Sequence, residues 1–359
     1  MFDFIIIGGG IIGLLTAKEL QQTGARVAII EKGSPQQQAT NAAGGILSPM
    51  RPWHYSEAVN AISDISQSVY RDLSEELRDT TGIDPSWVLS GMLVLHDDEI
   101  PDAIRWCQQH QSPYEMLSAE QFKQQFPYLK PITQPALLRN DVATIRPPRL
   151  ADALNHYLAD RGVSFFKQPA KHLILDNNKV TGVQLKSEVI KAKEYIICSG
   201  AWSPQLTPSN SPKPDITPVK GQMICFPAVD IPDPCMVMDG NRYIIPRLDG
   251  QVVVGSTRED TGFNASTDQQ AFEQLKEFAQ ELFPTLKGVE PHAHWAGLRP
   301  SSPDSIPYIC RVEPYINLSL NAGHFRNGIV VAPASAQVMV DILLDRPSNI
   351  DHSAYQLTR

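Results

Sequence analysis

Three glycines and one acid in the first thirty-one residues could do chemistry together. Gly8, Gly10 and Gly13 fit the spacing G-x-G-x-x-G, and Glu31 closes the second apolar run that follows. This set suits the pyrophosphate and ribose of a dinucleotide. Gly8 permits a tight turn, Gly10 lacks a Cβ and lets phosphate approach the backbone, and Gly13 lets helix and strand pack closely. A helix starting at Ile11 and Ile12 offers unpaired N–H groups and the positive end of its dipole. Glu31 can accept hydrogen bonds from ribose hydroxyls. The competing reading is an ordinary strand–helix turn, and the stretch alone does not separate FAD from NAD.

Two arginines and a tyrosine come next. Arg299 stands between Leu298 and Pro300, after the apolar Trp295-Ala296-Gly297. That setting does not fit a solvated face, and a planar guanidinium fork there suits a carboxylate; the alternative is a structural salt bridge. Arg326-Asn327-Gly328 is read as a turn that opens a helix, whose N–H groups could face developing negative charge. The other reading is a plain helix start. Tyr243 is either a hydrogen-bond donor to a ligand or a strand core residue with a satisfied hydroxyl. The small residues from Ala39 to Leu47 let backbone amides approach a ligand, or simply pack tightly. His292-Ala293-His294 has no acid or cysteine spaced with it, so it reads as strand alternation and no metal site is expected. There is no Ser/His/Asp constellation and no acid pair with a shared spacing.

The elements that must position these residues follow from periodicity. Phe4 to Ile7 and Val27 to Ile30 are strands around a helix at Ile11 to Leu20, and Lys32 to Pro35 is a turn. A helix over 56–82 carries Ile62, Ile65, Val69, Leu73 and Leu77 on one stripe, with Gly82 as its stop. Further helices fall at 150–161, at 268–283 and between Gly328 and Leu344, and short helices with proline breaks at 99–130. Strands fall at 91–95, 136–138, 163–166, 195–198, 219–226 and 316–320, with hairpins across Asn177-Asn178 and Leu248-Asp249-Gly250. Residues 207–217, rich in Pro and Ser, mark a boundary.

A chain of 359 residues suits two intimately joined domains. Hydrophobic content of 42% and a net charge of −8 describe a soluble globular protein and argue against a nucleic-acid partner or a basic membrane patch. No run reaches the roughly eighteen apolar residues of a membrane helix, and the apolar start is too short for a signal peptide. The five cysteines are scattered and form no C-x-x-C, which fits reduced thiols in the cytoplasm.

Seven separated stretches resemble one family, the FAD-dependent amine oxidases of the D-amino-acid oxidase group. They are Ile6 to Leu15, Ala39 to Leu47, Ile196 to Trp202, Pro218 to Gly221, Tyr243 to Arg247, Trp295 to Pro300 and Ala322 to Pro333. The resemblance implies an α/β fold, with a Rossmann-type FAD-binding domain interleaved with a mixed-sheet α+β substrate domain. The expected division is 1–80, 140–210 and 300–359 for FAD, and 81–139 and 211–299 for substrate. It implies that Arg299 clamps a substrate carboxylate, that Tyr243 donates to it and that Arg326 stands at the edge of the site. For FAD it points to Gly8, Gly10, Ile11, Ile12, Gly13, Glu31, Lys32, Ala39, Thr40, Gly44, Gly45, Ile46 and the backbone of Lys171. It adds His324, Phe325, Arg326, Asn327, Gly328, Ile329 and Val330. Cys310 does not match the place where sarcosine oxidases attach flavin, so FAD is expected to be non-covalent. Arg258 departs from the family pattern and brings a charge close to the expected pocket.

The implied reaction is oxidation of glycine, sarcosine or a small D-amino acid by oxygen, giving an oxo acid such as glyoxylate, ammonia or amine, and hydrogen peroxide. It would serve thiamine thiazole biosynthesis, in a cytoplasmic homo-oligomer. A dehydrogenase of D-amino acids or sarcosine with another electron acceptor stays open, as does a flavin-binding subunit of a larger complex.

Overall fold

The computed structural model describes residues 1–33, 39–95, 97–232 and 234–359. Ser34 and Pro35 of the expected turn lie outside them. Strand Phe2–Ile7 serves two cores at once. Phe4 and Ile6 pack with Leu14 and Leu154 on one face, and Ile5 and Ile7 pack with Leu173 and Val183 on the other. A strand apolar on both sides is what a covered parallel sheet needs.

That sheet runs Tyr308–Arg311, Leu318–Ala322, Ala192–Ile197, Phe2–Ile7, Val27–Ile30, Ser164–Phe166. Only the Tyr308–Arg311 edge pairs antiparallel. Helices Ile11–Gln22, Glu57–Thr81, Pro147–Asp160 and Ala332–Leu343 cover one face. A small antiparallel sheet built on His172–Asp176 and Lys179–Gln184 covers the other.

The second sheet has eight strands, from Ala293–Ser301 and Thr217–Phe226 at one side to Tyr114–Leu117 at the far edge. It is mixed, because Met236–Asp239 and Met92–Val94 pair parallel within an otherwise antiparallel order. Helix Gln269–Leu282 packs Leu275 and Ala279 against Ile224, Ile244 and Val254 on one face. The opposite face presents Met223, Tyr243 and Ile245. The two sheets draw on alternating parts of the chain, so the Rossmann-type sheet is interleaved with the mixed one, as in the α/β expectation.

Among the elements that differ from the sequence reading, Tyr114–Leu117 is a strand within the stretch 99–130 read as short helices. In helix Glu57–Thr81, Ile65 and Val69 are 42% and 41% exposed. The buried line instead passes through Ser66 and Tyr70. Ser66 Oγ accepts the Ala334 N–H at 3.0 Å, and the Tyr70 hydroxyl donates to the Ile329 carbonyl. These bonds satisfy backbone groups that burial would otherwise strand, while Ile62, Leu73 and Leu77 of the expected stripe are buried in the core. The last helix starts at Ala332, not at Gly328, after a single tight turn over Phe325–Asn327. The preceding strand is Leu318–Ala322, and Ile316 is exposed.

Candidate active site

The N-terminus of helix Ile11–Gln22 opens on a cavity of about 1020 Å³ walled by both sheets. Gly8, Gly10, Ile11 and Ile12 line it, and Gly13 does not. A Cβ on Gly13 would stand 2.0 Å from the Gly8 carbonyl oxygen, so this glycine permits the close helix–strand contact. Thr40 Oγ1 accepts the Ile11 N–H at 2.9 Å, which ties the loop from Ala39 to the phosphate turn. Glu31 accepts the Gly9 N–H at 2.7 Å on one oxygen and the Gly33 N–H at 2.9 Å on the other. Its carboxylate is thereby fixed, with lone pairs left for a ribose. Lys32 Nζ lies 3.4 Å from the centre of the Trp202 ring, and burial lowers its pKa. Ala39, Thr40, Gly44, Gly45, Ile46 and Lys171 also line the cavity. The Lys171 N–H is given to the Gln184 carbonyl at 2.8 Å.

The opposite wall begins where strand Leu318–Ala322 ends. His324 is fully buried, and that burial pushes its pKa down to about 3. Its Nε2 lies 2.8 Å from Ser335 Oγ, which itself donates to Asn321 Oδ1 at 2.8 Å. With the Ser335 proton so committed, Nε2–H is the donor and the ring stays neutral. Phe325, Arg326, Asn327, Gly328 and Ile329 line the cavity. Val330 does not; it lies in the helical core at 1% exposure, since the tight turn ends before it. Arg326 Nε and Asn327 Nδ2 are buried without a hydrogen-bond partner among the described residues. Buried donors of this kind call for an acceptor. Together with the phosphate turn, they fit a bound dinucleotide.

At the far end stand the two arginines. Arg299 leaves strand Ala293–Ser301 and lays its guanidinium on Gly221. Nη1 donates to the carbonyls of Lys220 at 3.3 Å and Thr257 at 3.2 Å, and Nη2 to Ser256 Oγ at 2.8 Å. No acid pairs with it among the described residues. Burial lowers its pKa, and the Tyr243 phenol opposes that shift. The Tyr243 hydroxyl donates to Met223 Sδ, a weak acceptor, at 3.6 Å. Arg326 is lowered by burial first and by the Arg299 charge second. Tyr55 acts on both arginines and lines the cavity. The sequence reading missed it; the signal available was an arginine and three aromatic side chains packed into Arg51-Pro52-Trp53-His54-Tyr55. Arg258 is exposed, 5.9 Å from the centre of the Phe325 ring, and off the cavity wall. His294 packs on the Phe272 ring. Cys310 is buried in strand Tyr308–Arg311, and burial pushes its thiol up to about 12.

A dinucleotide turn on a largely parallel sheet, facing a mixed sheet that carries an arginine with no acid partner among the described residues, fits a dinucleotide-dependent oxidoreductase. A family model described as FAD dependent oxidoreductase matches residues 3–342, and the chain belongs to that family. It is therefore an oxidoreductase with FAD as its cofactor. A glycine oxidase of Pseudomonas aeruginosa is 38% identical over 98% of this chain and 97% of its own length. A protein of Nostoc sp. called bifunctional protein ThiO/ThiG is 30% identical over 97% of this chain and 53% of its own. The crystal structure of a glycine oxidase from Geobacillus kaustophilus superposes with a TM-score of 0.93 at 27% identity, covering 100% of this chain and 98% of that one.

Proposed function

We propose that this chain oxidises glycine and other small amino acids by oxygen. For glycine the balance is glycine, oxygen and water giving glyoxylate, ammonia and hydrogen peroxide. The observation that carries the reading is Arg299, a buried guanidinium with only neutral partners among the described residues, in the cavity that also holds the dinucleotide turn. Its fork would take the substrate carboxylate. Tyr243 would donate to the same group, and Arg326 would stand at its edge. FAD, when bound, would supply the two-electron redox chemistry between substrate and oxygen. The cavity-lining residues named above from Gly8 to Ile46, with Lys171 and His324 to Ile329, would hold it without a covalent bond. The chain's own task is to fix the α-carbon in place and to keep water off it with Met50, Ile46 and Trp295, which line the cavity.

We further propose the division already given, with the FAD domain at 1–80, 140–210 and 300–359 and the substrate domain at 81–139 and 211–299. Among the described residues, no helix is long and apolar enough to cross a membrane. A cytoplasmic homo-oligomer completes the proposal, with a role in thiamine thiazole biosynthesis supported by the likeness to the bifunctional ThiO/ThiG protein of Nostoc sp..

Purified protein under air should consume oxygen and release peroxide with glycine, sarcosine or D-alanine, and heat should free its FAD into the supernatant. Turnover with a dye but not with oxygen would replace this reading by a dehydrogenase. No turnover by the isolated chain would favour a flavin-binding subunit. Tyr243→Phe removes one hydrogen bond to a charged group, worth about 1.5 kcal/mol. The expected result is a KM for glycine raised about tenfold, with FAD content unchanged; an unaltered KM would leave Tyr243 a core residue.

A further inference from the structure

We propose that Glu99 is a positioning residue for the substrate end of the cavity: its carboxylate fastens the segment Arg51–Tyr55 so that Tyr55 stands beside Arg299 and Arg326. This inference rests on the carboxylate site described above. The segment runs between strand Ile46–Leu47 and helix Glu57–Thr81, and Met50 and Tyr55 line the cavity from it. Three of the four residues before Tyr55 reach one carboxylate. Arg51 Nη1 donates to Glu99 Oε1 at 2.9 Å, Trp53 Nε1 to Oε2 at 2.5 Å, and His54 Nε2 lies 2.9 Å from Oε2. Two further bonds hold the other side. Asn60 Nδ2 donates to the Pro52 carbonyl at 3.1 Å, and Arg51 Nη2 to Asn241 Oδ1 at 2.5 Å.

Glu99 is itself anchored. It directly precedes helix Ile100–Gln109, whose Ile100 and Ala103 belong to the same core as Tyr243 and Met223. Partial burial disfavours its charge, but hydrogen bonds from Trp53, Arg51 and His54 outweigh that and hold the carboxyl at about 2. It is thus an anion throughout the neutral range, and its charge-assisted bonds are the strong kind. Among the described residues, the hydrogen bonds that hold this cluster run to Glu99, Asn60 and Asn241, none of which lines the cavity. Its loss should therefore alter substrate binding and spare the cofactor.

The probe is acetate, a bare carboxylate, followed by its perturbation of the flavin spectrum, beside the KM for glycine. Glu99→Gln should weaken acetate binding and raise KM about three- to tenfold, with kcat within about twofold and FAD content at the wild-type level. Tyr55→Phe should do the same. The double variant should be no worse than the weaker single one, because both act through Tyr55. Losses that multiply, unchanged acetate binding, or FAD-free protein would overturn the proposal. Should Glu99→Gln fail to fold, Trp53→Phe removes one arm of the clamp; a rise of about twofold in KM that vanishes in the Tyr55→Phe background supports the proposal, and no rise overturns it. Wild type that does not bind acetate would overturn the carboxylate site and this inference together, whereas a failure confined to the Glu99 and Trp53 variants would remove only the clamp.

Discussion

Arg299→Ala is expected to lower kcat/KM for glycine by about 30-fold to a few thousand-fold. Truncating one side of a buried, hydrogen-bonded charge pair costs about 2–5 kcal/mol, and each tenfold in rate is about 1.4 kcal/mol. The geometry makes the upper part of this range reachable. Arg299 already has three neutral acceptors, the Lys220 and Thr257 carbonyls and the Ser256 hydroxyl, so the fork is oriented before substrate arrives. None of those partners can replace it as a counter-charge. Arg299→Lys should recover only part of the activity, since an ammonium cannot reproduce the planar fork. FAD content should stay near wild type. An amine lacking a carboxylate, where wild type accepts one, should lose far less. Equal losses on both substrates, or protein without FAD, would assign Arg299 to the fold or the cofactor.

The dinucleotide end was readable because its geometry is local. Strand, glycine turn, helix and acid fall within the first thirty-one residues, and each part acts on its neighbours in sequence. Thr40 was named for the same pocket, yet its bond to the Ile11 N–H was not visible without the fold. The substrate end was only partly readable. Arg299 stood out because an apolar context makes a solvated role implausible. Tyr55 did not, because what places it is Glu99, on a different element. Helix Glu57–Thr81 shows a third kind of limit. Counting apolar residues chose Ile65 and Val69, while the fold buries Ser66 and Tyr70 for hydrogen bonds to residues more than two hundred positions away. No periodicity within the helix carries that information.

Gly221 belongs to the same category, and it gives the second large effect. The stretch Pro218 to Gly221 was recognisable without a reason for its glycine. Pairing of Thr217–Phe226 with Ala293–Ser301 sets Arg299 opposite Val219 and Gly297 opposite Gly221. Gly221 is thus the diagonal neighbour of Arg299, within reach of a long side chain. The guanidinium uses that space fully. A Cβ on Gly221 would lie 2.0 Å from Nη2, 2.1 Å from Nη1 and 2.2 Å from Cζ. Only the far end of one side chain is in the way, so the fold can absorb Gly221→Ala while Arg299 cannot keep its place. Displacing it by about 1 Å costs on the order of 100-fold in rate. Gly221→Ala should therefore lower kcat/KM for glycine about 100-fold, with FAD content retained and little change in Tm. Gly13→Ala should behave oppositely, because its Cβ meets fixed backbone and the FAD turn itself must yield. The Gly221→Ala, Arg299→Ala double variant should be no slower than Arg299→Ala alone. A Gly221→Ala enzyme of nearly wild-type kcat/KM would show that the guanidinium has another productive position, and a double variant much slower than Arg299→Ala would show that Gly221 serves the site by some route other than Arg299.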